Sequence, residues 1–342
     1  MLTKKFDFEI PDSLIALEPA NPRDSSKLIE VSNVFNIKNF TNILDILKKN
    51  DCLVLNDTKV LPASLKGKCE KKEIKVTLNK LIKTSPKIIW SVFVKPLKKT
   101  KDNVTIEFEG GFLGKLKRSN NQVLLEFNYT YDRFMIFIHR YGVLALPPYI
   151  SKKRKFQKID YQNYQTVFAK KEGAVAAPTA SLHFTENLLK KIIDKGVKLV
   201  MITLHVNGGT FTPIRKHNIE EHEMHFEFGE ITKNAAKIIN ETRLMGNKCI
   251  AVGTTVLRLL ETSKKRNGQI TEYCGETNIF IKPGWKINSI DGLITNFHTP
   301  KSTLFVLICA MIGINKAKRL YKFAVKNKIR FFSYGDACLL WK

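Results

Sequence analysis

A change of rhythm along the chain constrains its fold more than any other feature. From about residue 151 onward, helix and strand patterns alternate. A helix is expected over residues 186–195, stopped by Gly196, and a strand follows over 197–206. A second helix, capped by Thr232 and stopped by Gly246, is expected over 233–245, with a strand after it at 248–252. That alternation predicts a largely parallel or mixed sheet covered by helices. Residues 61–150 read differently. Short alternating stretches at 75–81, 88–94, 103–108, 114–117 and 122–127 are separated by turn residues, among them Gly110-Gly111 and Asn120-Asn121. They predict a small antiparallel β-barrel or sandwich ending in the Pro-rich stretch 141–150. Residues 1–60 supply strands at 5–10 and 28–31, a helix at 43–48 and an apolar strand at 51–55, which the later sheet needs. The predicted class is α/β: a large α/β domain, residues 1–60 and 151–342, interrupted by an inserted small antiparallel β-barrel domain, residues 61–150.

Charge narrows the partner. The 342 residues hold 57 Lys and Arg against 31 Asp and Glu, a formal net charge of +26. Such an excess favours a polyanion, although scattered lysines also serve simply to solvate a surface. Two basic clusters stand out. One is Lys152-Lys153-Arg154-Lys155; the other is a helix-like stretch, 316–330, that sets Lys318, Arg319 and Lys322 against Leu320, Phe323 and Ala324. The longest apolar run, 304–314, is shorter than the about 20 residues a membrane span takes. The first residues lack a signal-peptide core. A soluble cytoplasmic protein is expected. Six scattered cysteines have neither zinc-knuckle nor redox spacing and read as small buried hydrophobes.

Polar residues recur where predicted strands end. The run Ala174-Val175-Ala176-Ala177-Pro178-Thr179-Ala180-Ser181-Leu182-His183-Phe184-Thr185 combines small side chains, which admit a ligand close to the backbone, with Thr179, Ser181 and His183. Thr185 is placed to cap the next helix. Gly253-Thr254-Thr255 opens a helix whose free N–H groups suit a carboxylate or phosphate, with Arg258 one turn in. His205, before Asn207-Gly208-Gly209, reads either as a general acid or base or as a satisfied partly buried histidine. Glu220 to Glu227 crowd His222 and His225 among carboxylates without metalloprotease spacing, so an acid–base or hydrogen-bonding cluster is preferred over a metal. Asn56-Asp57-Thr58-Lys59, a strand at 276–281, Thr295-Asn296-Phe297-His298 and Phe331 to Ala337 complete the series.

Together these segments closely resemble the S-adenosylmethionine:tRNA ribosyltransferase-isomerase family of queuosine biosynthesis, over essentially the whole chain. The likeness rests on Pro22-Arg23-Asp24-Ser25-Ser26, on Asn56 to Ala63, on Tyr164-Gln165-Thr166-Val167-Phe168-Ala169 and on the Ala177 to Thr185 loop. It continues through 205–213, 220–227, Gly253-Thr254-Thr255, 275–284, 295–300 and 330–337. Asn207-Gly208, Asn163, Ala145 and Asn278 depart from the family pattern; Asn278 stands where an Asp is common. The resemblance implies a large α/β domain with an inserted β-barrel. It implies transfer of the ribosyl part of S-adenosylmethionine to the aminomethyl group of a 7-deazaguanine base at the tRNA wobble position. Isomerisation of the sugar then gives epoxyqueuosine, and adenine and methionine leave. No metal or bound cofactor is implied; S-adenosylmethionine is a co-substrate. A monomer acting on tRNA with a GUN-type anticodon, away from membranes, is expected.

By the same resemblance, His183, His205, His222, His225 and Glu227 are acid–base candidates, unranked. Thr179, Ser181, Gly253, Thr254, Thr255, Arg258, Asn296 and His298 are candidates for S-adenosylmethionine. Arg23, Asp24, Asp57, Thr58, Glu276, Tyr334 and Asp336 are candidates for the modified base and tRNA, and the charge pattern adds Lys318, Arg319 and Lys322. Two other readings remain open at this level. A methyltransferase would use the same sulfonium, but the Gly-rich loop of Rossmann methyltransferases is missing after residues 53–55. A non-catalytic RNA-binding module is supported by charge alone.

Overall fold

The structure is a computed structural model that describes residues 1–342 apart from 71, 98–100 and 120–121. The expected Asn120-Asn121 turn lies outside the described residues. In chain order the strands are β1 (Lys27–Val31), β2 (Phe35–Asn39), β3 (Cys52–Asn56), β4 (Thr58–Val60), β5 (Ser64–Cys69), β6 (Lys72–Lys83), β7 (Ile88–Lys95), β8 (Val104–Phe108), β9 (Phe112–Ser119) and β10 (Gln122–Phe127). They continue with β11 (Lys171–Ala174), β12 (Lys198–Leu204), β13 (Glu227–Ile231), β14 (Cys249–Val252), β15 (Tyr273–Thr277), β16 (Gly292–Asn296) and β17 (Ala337–Trp341). The helices are α1 (Ile43–Ile46), α2 (Tyr131–Tyr141), α3 (Pro148–Ser151), α4 (Asp160–Asn163), α5 (Glu186–Asp194), α6 (Lys233–Leu244), α7 (Thr254–Ser263), α8 (Thr303–Ile312) and α9 (Ile314–Lys326).

A mixed sheet runs in the order β15-β13-β12-β3-β14-β16-β17-β1-β2. Its centre, β12, β3, β14 and β16, is parallel, and the flanking pairs β13–β12 and β16–β17 are antiparallel. Every residue of β3, β14 and β16 is buried, as strands covered on both faces require. Alternation splits them between two cores. Val54, Ala251 and Leu293 face the layer that includes α6, α7, α8 and α9, whereas Leu53, Leu55, Ile250, Val252 and Ile294 face α5 and the α1 turn. Thr185 caps α5 by accepting from the Leu188 N–H, and Thr232 caps α6 by accepting from the Ala235 N–H, as the sequence suggested.

The inserted segment closes into a barrel in the order β10-β7-β6-β5-β8-β9. The α2 helix seals it, because Phe134, Phe137 and Ile138 fall on one stripe and join the barrel core. Five of the cysteines are buried, as expected; Cys274, on an edge strand, is exposed. Among the described residues, no helix is long and apolar enough to cross a membrane.

Two expected strands differ. Residues 5–10 do not pair into the sheet: a 3-10 turn spans Thr3–Phe6, and Phe6 and Phe8 pack on Phe305 instead. The strand expected at 276–281 lies earlier, as β15. Thr277 turns the chain out of the sheet, since its Oγ shares a hydrogen bond with Thr262 Oγ1 (2.6 Å) and accepts from the Ile279 N–H (3.3 Å).

Candidate active site

The parallel strands β12, β3, β14 and β16 all end on one edge of the sheet, and a pocket opens beside three of those ends. In open α/β sheets the carboxyl edge is where ligands bind, because helix N-termini and irregular loops converge there. Residues 177–180 form one wall, Val206 and Thr210 a second, and Gly253, Thr254 and Thr255 a third. Thr295, Asn296, His298, Tyr149, Phe332 and Ser333 complete the lining. The enclosed volume is about 50 Å³, well below the roughly 300 Å³ at which ligand pockets begin. A ligand larger than that volume would extend across the rim.

Gly253 explains the third wall. It stands at the N-cap of α7 with φ +98° and ψ 147°, a conformation that excludes other residues. The start of α7 lies on the pocket lining, and no side chain caps its first N–H groups. A helix start of that kind carries partial positive charge and favours an anion. Thr254 and Thr255 add hydroxyls, and the Thr255 Oγ is buried without a partner.

Facing it, Thr179 Oγ1 donates to Asn296 Oδ1 (2.9 Å), and Asn296 Nδ2 points at His183 Nε2 (3.2 Å). His183 Nδ1 meets Ser26 Oγ (2.8 Å), and the ring stacks on Phe40. Burial pulls His183 down to about 4; the Asp336 charge opposes this, and Arg330 and Arg23 add to it. His183 therefore stands behind the wall as a neutral ring that orients Asn296. His298 lies on the lining itself. Its Nε2 bonds with Thr295 Oγ1 (2.8 Å), its N–H donates to the Tyr321 hydroxyl (2.8 Å), and burial lowers its pKa to about 3.

A buried ion pair braces the floor. Arg258 Nη1 donates to Glu227 Oε2, joining α7 to β13. Glu227 Oε1 accepts from the Asn207 N–H (3.0 Å) and Thr210 Oγ1 (3.1 Å), which fixes the rim. Arg258 Nε donates to Ile279 O (3.3 Å), while Nη2 is buried without a partner. An unmatched guanidinium N–H under the pocket is unusual enough to need an explanation.

The pocket thus gathers Thr179, Gly253, Thr254, Thr255, Asn296 and His298, with His183, Arg258 and Glu227 just behind. Ser181 is buried with its hydroxyl unpartnered, off the lining. His205 is absent from the lining, although Val206 beside it is there. Its Nδ1 meets Thr58 Oγ1 (2.8 Å), and its ring covers Gly173, where a Cβ would come within 2.7 Å. Burial lowers its pKa; Asp57 opposes this. Asp57 itself accepts from Thr203 Oγ1 (2.6 Å) and faces a different cavity.

His222 packs edge-on against Phe280, and His225 lies against Gly209, both in the loop beyond the rim. Arg23 donates to the Gln165 and Gln162 carbonyls, and Asp24 accepts from Thr185 Oγ1 (2.6 Å). Asp336 is buried, pairs with Arg330 and accepts from the Lys27 N–H. Tyr334 is buried against Tyr164. These four residues anchor the segments around the 174–185 loop. Glu276 pairs with Lys80 of the barrel (2.8 Å). Arg319 and Lys322 are exposed and Lys318 half-buried on α9, whose inner residue Tyr321 reaches His298. Sequence reasoning did not single out Tyr149, Thr210, Thr295 or Ser333. Each lies in a quoted segment, but only the fold brings them together. Among the described residues, no group of three or more His, Cys, Asp or Glu side chains is placed to hold a metal.

With this geometry in hand, comparison with known proteins identifies the relatives. A family model described as queuosine biosynthesis protein matches residues 3–340. The chain is 44% identical over 338 residues to the S-adenosylmethionine:tRNA ribosyltransferase-isomerase of Zymomonas mobilis, covering 98% of each. It is 47% identical over 355 residues to the protein of the same name from Caldanaerobacter subterraneus, covering 99% of this chain and all of the relative. The crystal structure of S-adenosylmethionine tRNA ribosyltransferase from Thermotoga maritima is similar at a TM-score of 0.55 and 31% identity, covering 98% of this chain and 99% of that one. The chain belongs to the queuosine biosynthesis protein family.

Proposed function

We propose that this protein transfers and isomerises the ribosyl moiety of S-adenosylmethionine onto the aminomethyl group of a 7-deazaguanine base in the wobble position of tRNA, giving epoxyqueuosine and releasing adenine and methionine. One observation carries the assignment of the pocket. In a member of this family, the uncapped start of α7, with its two threonines, faces Thr179, Asn296 and His298 across a strand-end pocket. The α7 N–H groups and Thr254 and Thr255 suit the methionine carboxylate, with the unpartnered Arg258 Nη2 behind them. Among the described residues, no charged side chain lines the pocket, which suits a ligand that carries its own sulfonium cation. A neutral His298 adds no repulsion to that cation and is suited to hydrogen-bond a ligand nitrogen. The Tyr149–Phe332 pair, with ring centroids 4.8 Å apart, supplies an apolar wall.

The sulfonium acidifies the 5′ carbon, so a base removes a proton there; the amine attacks as the neutral form; adenine leaves with a proton or hydrogen bond on nitrogen. His183, His205, His222, His225 and Glu227 stay in the proposal as acid–base candidates. None of them lines the pocket as it stands, so any that takes part in proton transfer must act across a rearranged rim. The proposal includes tRNA with a GUN-type anticodon as partner, a cytoplasmic location, a monomer, and no metal or resident cofactor. Incubation with labelled S-adenosylmethionine and tRNA carrying the aminomethyl base tests it. Free adenine and methionine are expected. S-adenosylhomocysteine would instead mean methyl transfer, and no product with intact tRNA binding would leave an RNA-binding module.

A further inference from the structure

A row of lysines crosses three neighbouring strands of the barrel. Lys66 on β5 lies directly opposite Lys75 on β6, and Lys75 lies directly opposite Lys95 on β7. Opposed residues of antiparallel strands share a face, with Cβ atoms about 4.5–5.5 Å apart. All three are exposed, so three ammonium groups stand side by side on the outer surface. Like charges so placed weaken a sheet. The ion pairs formed by other barrel lysines, Lys101–Glu70, Lys117–Glu126 and Lys80–Glu276, leave these three out. The next row shows the ordinary solution: Glu107, Lys68 and Glu73 alternate in sign across β8, β5 and β6. Partial burial lowers the Lys75 ammonium, and the Lys95 and Lys66 charges lower it further.

The row leads to the site. The next outward pair along β6 and β7 is Thr77 opposite Phe93, and Phe93 is an exposed aromatic. Beyond it, Asn79 Nδ2 donates to Ser91 Oγ (3.2 Å) and Asn79 Oδ1 accepts from the Gly209 N–H (3.1 Å). Gly209 precedes Thr210, which lines the pocket. Asn79 lies four positions along the strand from Lys75, a run of about 13 Å.

We propose that Lys66, Lys75 and Lys95 form a docking stripe for the phosphate backbone of tRNA, which delivers the reacting base past Phe93 to the pocket. The inference rests on the reading of the protein as a tRNA-modifying enzyme. It accounts for an arrangement that opposes barrel stability and that a polyanion would relieve.

Binding of an unmodified tRNA transcript is measured between 50 and 200 mM salt for the wild type, a Lys66→Gln/Lys75→Gln/Lys95→Gln variant, the matching triple Lys→Arg variant and Lys117→Gln. The Gln triple is expected to bind at least about tenfold more weakly at the lowest salt and to flatten the salt slope by about 2 to 3. The Arg triple should keep the wild-type slope, and Lys117→Gln should change it by less than about 1. An unchanged slope in the Gln triple overturns the stripe. So does equal loss in the Arg triple, since charge would then not be what matters. Binding is read without turnover, so failure of the wild type to release adenine overturns the proposed activity and not the stripe.

Discussion

The hydrogen bonds around His183 fit a ring with its proton on Nδ1. Thr179 donates to Asn296 Oδ1, so the amide nitrogen of Asn296 faces His183 Nε2, and only an unprotonated Nε2 accepts from it. The remaining N–H goes to Ser26. The sequence marked His183 as a ligand-facing residue because it shares a loop with Thr179. With three residues per turn of 3-10 helix, the four-residue step from Thr179 to His183 rotates the two side chains about 120° apart, and the sequence does not show that this loop is a 3-10 turn. A consequence is acid sensitivity. The folded pKa is about 4 against an ordinary 6.5, so the unfolded chain binds the extra proton first. This contribution to stability is complete above about pH 6.5 and fades as pH falls toward 4, by on the order of 3 kcal/mol. Urea unfolding at pH 7.5 and 4.5 should show His183→Gln losing less stability on acidification than the wild type; equal losses would contradict it. Glu227 poses a different test. Glu227→Ala strands a buried guanidinium and frees the Asn207 and Thr210 rim, so a loss of about 3–5 kcal/mol is expected in denaturant titration. A loss below 1 kcal/mol would mean that water reaches Arg258.

At the scale of elements, the α7 start depends on Gly253. A Cβ there would meet only Thr255 Oγ1 at 3.5 Å and Ala180 Cβ at 3.8 Å. The cost of Gly253→Ala is therefore conformational, about 1–3 kcal/mol. Relieving that strain by re-aiming the turn would misplace the Thr254 and Thr255 N–H groups. A raised KM for S-adenosylmethionine with a lowered Tm is expected, and a lowered Tm with unchanged KM would separate the turn from the ligand. Strong strand–Gly–helix punctuation made this element legible from sequence, as it did β14, α5 and α6. The α2 helix was not legible. Phe134-Met135-Ile136-Phe137-Ile138 is rich in residues that favour strands, and the barrel core overrides that preference by burying Phe134, Phe137 and Ile138 at helical spacing. Thr130, which accepts from the Arg133 N–H, was the available signal. The final strand β17 was masked by the aromatic, Gly-containing stretch before it.

At the scale of the molecule, strand β6 of the barrel makes polar contacts with the rim loop and with β15. Asn79 holds the Gly209 N–H, and Lys80 pairs with the half-exposed Glu276. These two links differ in kind. An exposed ion pair is worth about 0–1 kcal/mol, whereas an amide left without its acceptor costs about 1–3 kcal/mol once buried, as Gly209 is. The enclosed volume is about 50 Å³, and Asn79 holds the loop that carries the lining residue Thr210. Ligand binding should therefore feel Asn79 and ignore Lys80. At a hundred times its Kd, S-adenosylmethionine stabilises the folded state by about 2.7 kcal/mol, a shift readable as a rise in Tm. Asn79→Ala is expected to lose most of that rise at the same ligand concentration, while Lys80→Ala keeps it. If both variants kept the full rise, the barrel would be a passive neighbour of the pocket. If both lost it equally, the domain junction as a whole, rather than the rim loop, would set affinity.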